Sequence, residues 1–285
     1  MSLLLLFDGQ SRGVPGSLPG LNQRFLDQRP RYHDSTVNAL PILTPEESGA
    51  IAIPRAGRCA LFDGSNDYAI AASSTGMIAP DMSFGGWVHK SSWASFDGCL
   101  ITKGSVDQWA LFFNSGSIFL RIGNTSSDVS WVHTGLSAGW HHIFATVSGT
   151  TSVIYVDGTA VATGTVNAMP SADSSSVHVG AYVSFYYLSA KVRDVRAYSV
   201  AKSAGAVTSI YNQHLTPTTI DRTGLLGGWW LEEEAGTTGY DWSGNGKNLT
   251  YTNTTAATFH ATDTGIKFSA ANSLGHTVSS TTIIP

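Results

Sequence analysis

Residues 138–161, AGWHHIFATVSGTTSVIYVDGTAV, place two adjacent histidines ahead of two apolar runs and an Asp-Gly pair. In extended backbone, successive side chains point to opposite faces. His141, Ile143, Ala145 and Val147 therefore share one face, and His142, Phe144 and Thr146 share the other. Adjacent histidines on a strand cannot chelate one metal together, so this pair reads as hydrogen-bonded strand residues. Asp157-Gly158 follows the β-branched and aromatic run Ser152–Val156 and tolerates the positive φ angles of a tight turn. Val153–Val156 and Thr159–Ala162 are thus predicted to form a hairpin, and the whole stretch three strands of an antiparallel sheet.

The same grammar extends outward. Short β runs separated by Gly, Ser, Asn and Asp recur as CALFDGSNDYAIAAS, MSFGGWVHK, CLITKG, WALFFNSGSIFLRIG, VHVGAYV and AKVRDVRAY. This spacing is the signature of an all-β sandwich or barrel. Helical periodicity is confined to Ser203–Gln213, where Val207, Ile210 and Tyr211 share a face. Residues 9–31 carry Gly and Pro at 13, 15, 16, 19, 20 and 30 and read as an irregular arm, and 214–224 (HLTPTTIDRTG) as an irregular link.

Apolar residues make up 42% of the 285, enough for a sizeable core, but charged residues only 13%, against ~25% in an ordinary soluble domain. The surface must be largely Ser, Thr, Asn and Gly, the habit of extracellular or virion β proteins. A net charge of −4 with no basic stripe argues against a nucleic-acid partner. The opening MSLLLLFDGQ has no basic region, and its apolar run Leu3–Phe7 is too short for a signal-peptide core. No stretch is long enough to span a bilayer. The expected location is extracellular or on a virion surface without a standard signal. Cys59 and Cys99 make no disulfide framework and read as two separate buried thiols, pairing being the alternative.

Six motifs in order carry a family resemblance: Leu61-Phe62-Asp63-Gly64-x-x-Asp67-Tyr68, Phe84-x-x-Trp87, Ile101-x-Lys103-Gly104, Gly139-Trp140-His141-His142, Tyr155-Val156-Asp157-Gly158, and VRDVRAYSVAKSAGAVTSIYN at 192–212. Over 59–213 the chain resembles the laminin-G-like, concanavalin-A-type lectins. The resemblance implies an antiparallel β-sandwich of jelly-roll form. Members carry an Asp-Glu-Val-Arg-Ile-Tyr-like run before a short helix; here Arg193 stands where an acid is usual.

Three regions follow: an arm with entry strands (1–58), the jelly roll (59–213), and a C-terminal β extension (214–285). The extension looks like the family's opening segment, displaced to the end. Tyr32 and Ser35 recur as Tyr240 and Ser243, an offset of 208, and Phe62 and Asn66 as Phe268 and Asn272, an offset of 206; such constancy suggests internal duplication. Leu225, Leu226, Trp229, Trp230 and Leu231 are too apolar to stay wet, at ~25 cal/mol per Å². The segment is expected to dock on its own sandwich, exchange between copies being the alternative, with Gly227 and Gly228 permitting close backbone approach.

Catalytic signatures are not found. Retaining glycosidases need paired carboxylates ~5–5.5 Å apart, whereas Glu232, Glu233 and Glu234 are consecutive and read as the solvated end of a strand. There is no nucleophile elbow, phosphate loop or zinc spacing. A non-enzyme is expected. Calcium is the one cofactor considered, because laminin-G-like and pentraxin-like domains often hold it at a rim. Asp63, Asn66 and Asp67 offer three side-chain oxygens within five residues, and an Asx turn explains the same residues equally well. For Asp241 and Asn245 the turn reading leads.

Sugars stack on aromatic rings while nearby amides and acids take their hydroxyls. SSWASFDG and YVSFYY place Trp93, Phe96, Asp97, Tyr182, Phe185 and Tyr186 in apparent loops, where they are the candidate ligand contacts; Trp87, Trp109 and Trp140 sit mid-strand and are assigned to the core. The expected function is a non-catalytic, lectin-like structural or adhesive component of an extracellular assembly such as a virion, with a glycan or cell-surface polysaccharide and other copies or structural proteins as partners. A free carbohydrate-binding protein or glycoside hydrolase of the same fold is the alternative.

Overall fold

The computed structural model describes residues 59–253, apart from 73, 95, 105–107, 124–127, 173, 183–185, 214–219 and 234–235. The 1–58 arm, the repeats at Tyr32 and Phe268, and Phe185 and Glu234 lie outside the described residues.

In chain order the strands are β1 (Ala60–Asp63), β2 (Tyr68–Ala71), β3 (Asp81–Lys90), β4 (Gly98–Lys103), β5 (Trp109–Asn114), β6 (Ser117–Ile122), β7 (Val129–Val132), β8 (Gly139–Ser148), β9 (Thr151–Val156), β10 (Thr159–Thr165), β11 (Val177–Val179) and β12 (Ser189–Tyr198). The helix α1 (Ala204–Asn212) follows, then β13 (Leu225–Trp229), β14 (Thr238–Gly239) and β15 (Leu249–Thr252). They form two antiparallel sheets. The first runs β1-β12-β3-β8-β9-β10, with β13 also on β12; the second runs β14-β15-β2-β11-β4-β5-β6-β7. Since β3 lines one edge of β12 from Lys191 to Tyr198, β1 and β13 share the other edge. No helix among the described residues is long and apolar enough to cross a membrane.

Alternation decides which side chains fill the space between the sheets. From β8, Ile143, Ala145 and Val147 enter the core, where they meet Phe84, Val195, Trp109, Leu111 and Val177. The β9–β10 turn is left-handed at Asp157 (φ 50) and Gly158 (φ 75), as the Asp-Gly pair requires, and Val156 faces Thr159 across it. Asp157 also ties the turn to β8: its Oδ1 accepts from His142 N at 2.8 Å, and its Oδ2 lies 2.6 Å from His141 Nδ1. The paired histidines therefore belong to the sheet.

One tryptophan assignment, Trp140, needs correcting. Trp109 is in the inter-sheet core, its Nε1 donating to Met77 O at 2.9 Å. Trp140 is only half-buried and lies on the outer face of the first sheet, because even-numbered residues of β8 point outward. Trp87 is buried, but on that same outer face, stacked on Tyr211 at 5.5 Å. Arg193 lies against both rings, 5.8 Å from Trp87 and 4.7 Å from Trp140. A cation–π partner is thus what stands where the family has an acid.

The second acid of the run is kept as Asp194, in a β-bulge with φ 46. It takes the Arg196 guanidinium on both oxygens, at 2.7 and 2.8 Å. Arg196 is 1% exposed and also reaches Gln213 Oε1 at 2.6 Å, just past α1. The helix begins where Ser203 accepts from Ala206 N, and it presses Val207 and Ile210 onto Phe144, Tyr155, Tyr198 and Leu225.

Beyond the helix, β13 pairs with β12 and β15 with β2, so residues 225–252 contribute to both sheets of their own chain. Trp229 and Leu231 are buried in the inter-sheet core. Close approach at the two glycines is to indoles rather than to backbone. A Cβ on Gly228 would stand 2.5 Å from Trp242, and one on Gly227 2.7 Å from Trp229. Cys59 and Cys99 are both buried and unbridged.

Candidate functional site

On the second sheet, Leu111 and Phe113 point into the core, so their neighbours Phe112 and Asn114 must point out. Phe112 stacks on Phe119 of β6 at 5.3 Å and 15°, and the Arg121 guanidinium lies 4.9 Å from the Phe112 ring. Arg121 is in turn held by both oxygens of Asp128, at 2.6 to 3.1 Å. This outward platform is apolar in the middle and charged at one side.

Residues 180–182 and 186–188 lie over the platform. Gly180 N donates to Leu100 O, Leu188 N to Gly180 O and Cys99 N to Tyr186 O, at 3.1, 2.8 and 2.9 Å. Tyr182 packs edge-on to Phe112 at 6.1 Å and forms a small outer cluster with Cys99, Ala110 and Phe112. Tyr186 meets Tyr182 at 6.4 Å and 86° and is 40% exposed. Its φ is 50, a left-handed conformation that costs a bulky residue roughly 1–2 kcal/mol. A bond through its carbonyl and a ring contact below hold it there.

Polar groups gather at the neighbouring rim. Asp97 is exposed, and its Oδ1 accepts from Ser115 N at 2.9 Å in the left-handed β5–β6 turn (Ser115 φ 48, Gly116 φ 83). Ser115 Oγ donates to Asn114 Oδ1 at 2.7 Å. Asp97 precedes by two residues the Cys99 amide that holds Tyr186, so carboxylate, amide and exposed ring belong to one corner.

The candidate ligand contacts thus separate. Tyr186 and Asp97 reach the surface at that corner, with Tyr182 buried beneath. Trp93 is corrected: at 2% exposed it is core, edge-on to His141 at 5.2 Å. Phe96 is half-buried and stacks on Phe113 at 4.9 Å. Both rings turn inward because an open sandwich end would leave the core wet. Phe112, Asn114, Phe119 and Arg121 were missed, since WALFFNSGSIFLRI reads as core strand. The adjacent pair Phe112-Phe113 was the available signal: one of two neighbouring strand residues has to face out.

The Asp63–Asp67 stretch is a turn in its own right. Asp63 Oδ1 accepts from Ser65 N at 2.7 Å, Asp67 Oδ2 from Asp63 N at 3.2 Å, and Asn66 O from Asn253 Nδ2 at 3.0 Å. Burial, and then the Asp63 charge, raise the Asp67 pKa, while the amide of Asp63 works against the rise. Three side chains give three to five oxygens, short of the six to eight that a calcium shell wants. Among the described residues no group of three or more His, Cys, Asp or Glu is placed to hold a metal. Asp241 is likewise a turn acceptor, taking Gly228 N, Ser243 N and Lys247 N. Glu233 corrects the picture of a solvated strand end: Oε1 accepts from Tyr240 N and Oε2 from Tyr251 OH, both at 2.8 Å, and burial raises its pKa.

A family model described as the concanavalin A-like lectin/glucanases superfamily matches residues 63–208. The chain belongs to this superfamily. Among solved structures, this superfamily member is similar to a proposed carbohydrate-binding protein from Bacteroides ovatus ATCC 8483, with 14% identity, a TM-score of 0.52, and coverage of 68% of this chain and 58% of that one. It is also similar to the heptameric SAP-like pentraxin of Limulus polyphemus (14%, TM-score 0.44, 57% and 84% covered) and to the binding domain of botulinum neurotoxin DC in complex with SialylT (12%, TM-score 0.43, 52% and 39% covered). At these identities the likeness is one of fold. No curated protein matches the sequence.

Proposed function

We propose that the outer face of the second sheet is a non-catalytic glycan-binding surface centred on Tyr186. The observation that carries this reading is the exposed Tyr186 ring, held in a left-handed conformation on Tyr182 and Phe112 beside the Asp97–Ser115–Asn114 rim. A sugar's C–H face stacks on the ring, and the carboxylate and amide take its hydroxyls. Membership of a superfamily of lectins and glucanases supports a carbohydrate ligand. The Bacteroides protein, proposed to bind carbohydrate, supports it at the level of fold.

The low-charge surface further supports a place in an extracellular assembly, a virion coat or fibre among them, where the chain acts as an adhesive or structural part beside other copies. A divalent cation at Asp63–Asp67 is a subsidiary proposal, resting on two carboxylates close enough for one to raise the other's pKa.

Screening the full chain on an array of glycans and cell-surface polysaccharides tests the reading. Binding without release of reducing ends is the expected result. Reducing-end release abolished by one carboxylate substitution would make the protein a glucanase instead, and a silent array would remove the glycan.

A further inference from the structure

The plug at the end of the sandwich contains a histidine that ligand binding does not use. His133 follows β7 and is 0% exposed, and among the described residues neither ring nitrogen has a hydrogen-bond partner. Aromatic rings enclose it: Phe96 at 5.1 Å, Phe113 at 5.6 Å and Trp93 at 5.9 Å, the last two edge-on. Its backbone is tied to the polar rim. His133 N donates to Gly116 O at 2.9 Å, in the same β5–β6 turn that Asp97 grips through Ser115. Leu136 N donates to His133 O at 3.0 Å. One buried ring therefore props the loops that present Asp97.

A neutral imidazole suits this box and a charged one does not, because a buried cation needs a counter-ion. The groups around it supply none. From the end of β3, the Lys90 ammonium lies over Phe96 at 4.2 Å and donates to Ser189 O. From β8 comes His141, with Nδ1 on Asp157 and Nε2 3.1 Å from Ser137 O. The other Asp157 oxygen takes His142 N, and Asp97 Oδ1 takes Ser115 N. Burial is the largest influence and lowers the His133 pKa; the backbone of Trp93 and of His133 itself pulls the other way, and the Lys90 charge, the smallest influence of the four, lowers it further. For His141, burial works against the charge, but Asp157 and the Ser137 backbone outweigh it and the pKa is raised. On acidification the plug thus holds Lys90 and His141 as cations before a third charge arrives at His133.

We propose that His133 is an acid-sensitive latch: its protonation parts Trp93 and residues 96–98, the β5–β6 turn and residues 133–136, and so dismantles the ligand-binding rim. The loss of ligand rests on the glycan reading, whereas the opening does not. The sign follows from proton linkage. His133 binds its proton more readily when the plug is open, so its support is complete above the ordinary histidine value of ~6.5 and is lost as pH falls toward the lowered folded value. His141 has the opposite sign: its contribution is complete below ~6.5 and is lost as pH rises through the raised value, so it cannot cause an acid opening.

Amide exchange on the full chain tests the latch, with protection compared at about pH 7.5 and about pH 5. At the lower pH the amides of 91–94, 96–98, 114–117 and 133–136 should lose roughly tenfold or more in protection. Those of α1 should hold. His133→Phe should abolish the difference, with His133→Leu as the second variant if the larger ring packs badly. Lys90→Met should move the opening to lower pH. Equal rim protection at both pH values in the natural chain, or an acid opening that persists in both His133 variants, would overturn the latch. Array binding at the same two pH values separates the claims. Binding that survives at pH ~5 despite an open rim would end the release but not the lectin. A silent array would end the lectin and leave the exchange result standing.

Discussion

The two outer faces of this sandwich are built from the same alternating strands but are finished differently. On the first sheet, α1 lays Val207 and Ile210 over Phe144, Tyr155 and Tyr198, and Tyr211 covers Trp87. At its β13 end, Trp230 and Trp242 stack at 4.8 Å beside the buried Arg196 guanidinium. The chain closes that face with its own residues. On the second sheet, Phe112, Phe119 and Tyr182 form an equally aromatic floor, but above them Tyr186 stays open to solvent in a strained conformation. Aromatic content alone therefore does not mark a binding face. What distinguishes the second is a ring held out against both its burial and its backbone preference, beside a carboxylate.

The comparison breaks first at Arg196. Arg196→Ala would leave Asp194 buried without its partner, a loss of about 3–5 kcal/mol. At ~2–4 °C per kcal/mol for a domain of this size, the melting temperature should fall by roughly 10 °C, followed by circular dichroism. A drop of only a degree or two would mean that the first face is not sealed by this pair.

Tyr186 should respond in the other direction. Tyr186→Gly removes the left-handed strain, so the variant should be more stable by up to about 1 kcal/mol, seen as a rise in urea midpoint at constant m. Stability stored as strain at a binding position and recovered by losing the side chain is the expected trade. A destabilised glycine variant would show that the Tyr186 ring holds the face together rather than serving a ligand.

Much of this contrast was legible in local sequence. The alternation of Ile143, Ala145 and Val147, the Asp157-Gly158 turn, and Ser203 at the head of the helix depend on neighbours one to four residues apart. Asp97 and Tyr186 also stood out, because turn residues and consecutive tyrosines cannot all be core. What stayed hidden depends on distant chain. Trp93 looks like a loop residue until Phe113 and His141 come to meet it at the sandwich end. Trp140 looks like core because alternation fixes two faces without saying which one is inward. The bulge at Asp194 depends on the residue just past β13, Trp230, whose carbonyl accepts the Asp194 amide.

The smallest effect is expected at the Asp63–Asp67 turn, which borders both sheets. If calcium binds there, millimolar Ca²⁺ should raise the melting temperature by a degree or two over chelator, since a ligand of the native state stabilises it by mass action. Identical melting curves would leave a self-sufficient Asx turn.

The most direct measurement sets two exposed tyrosines against each other. The affinity of the best-bound array glycan is measured by titration calorimetry for the natural chain, for Tyr186→Ala and for Tyr240→Ala, the second ring being exposed outside the rim. Removing Tyr186 should weaken binding about tenfold or more, the ~1.4 kcal/mol or greater cost of losing a stacking anchor, and removing Tyr240 should leave it unchanged. Equal affinities for all three proteins would contradict the placement of the ligand on the second sheet.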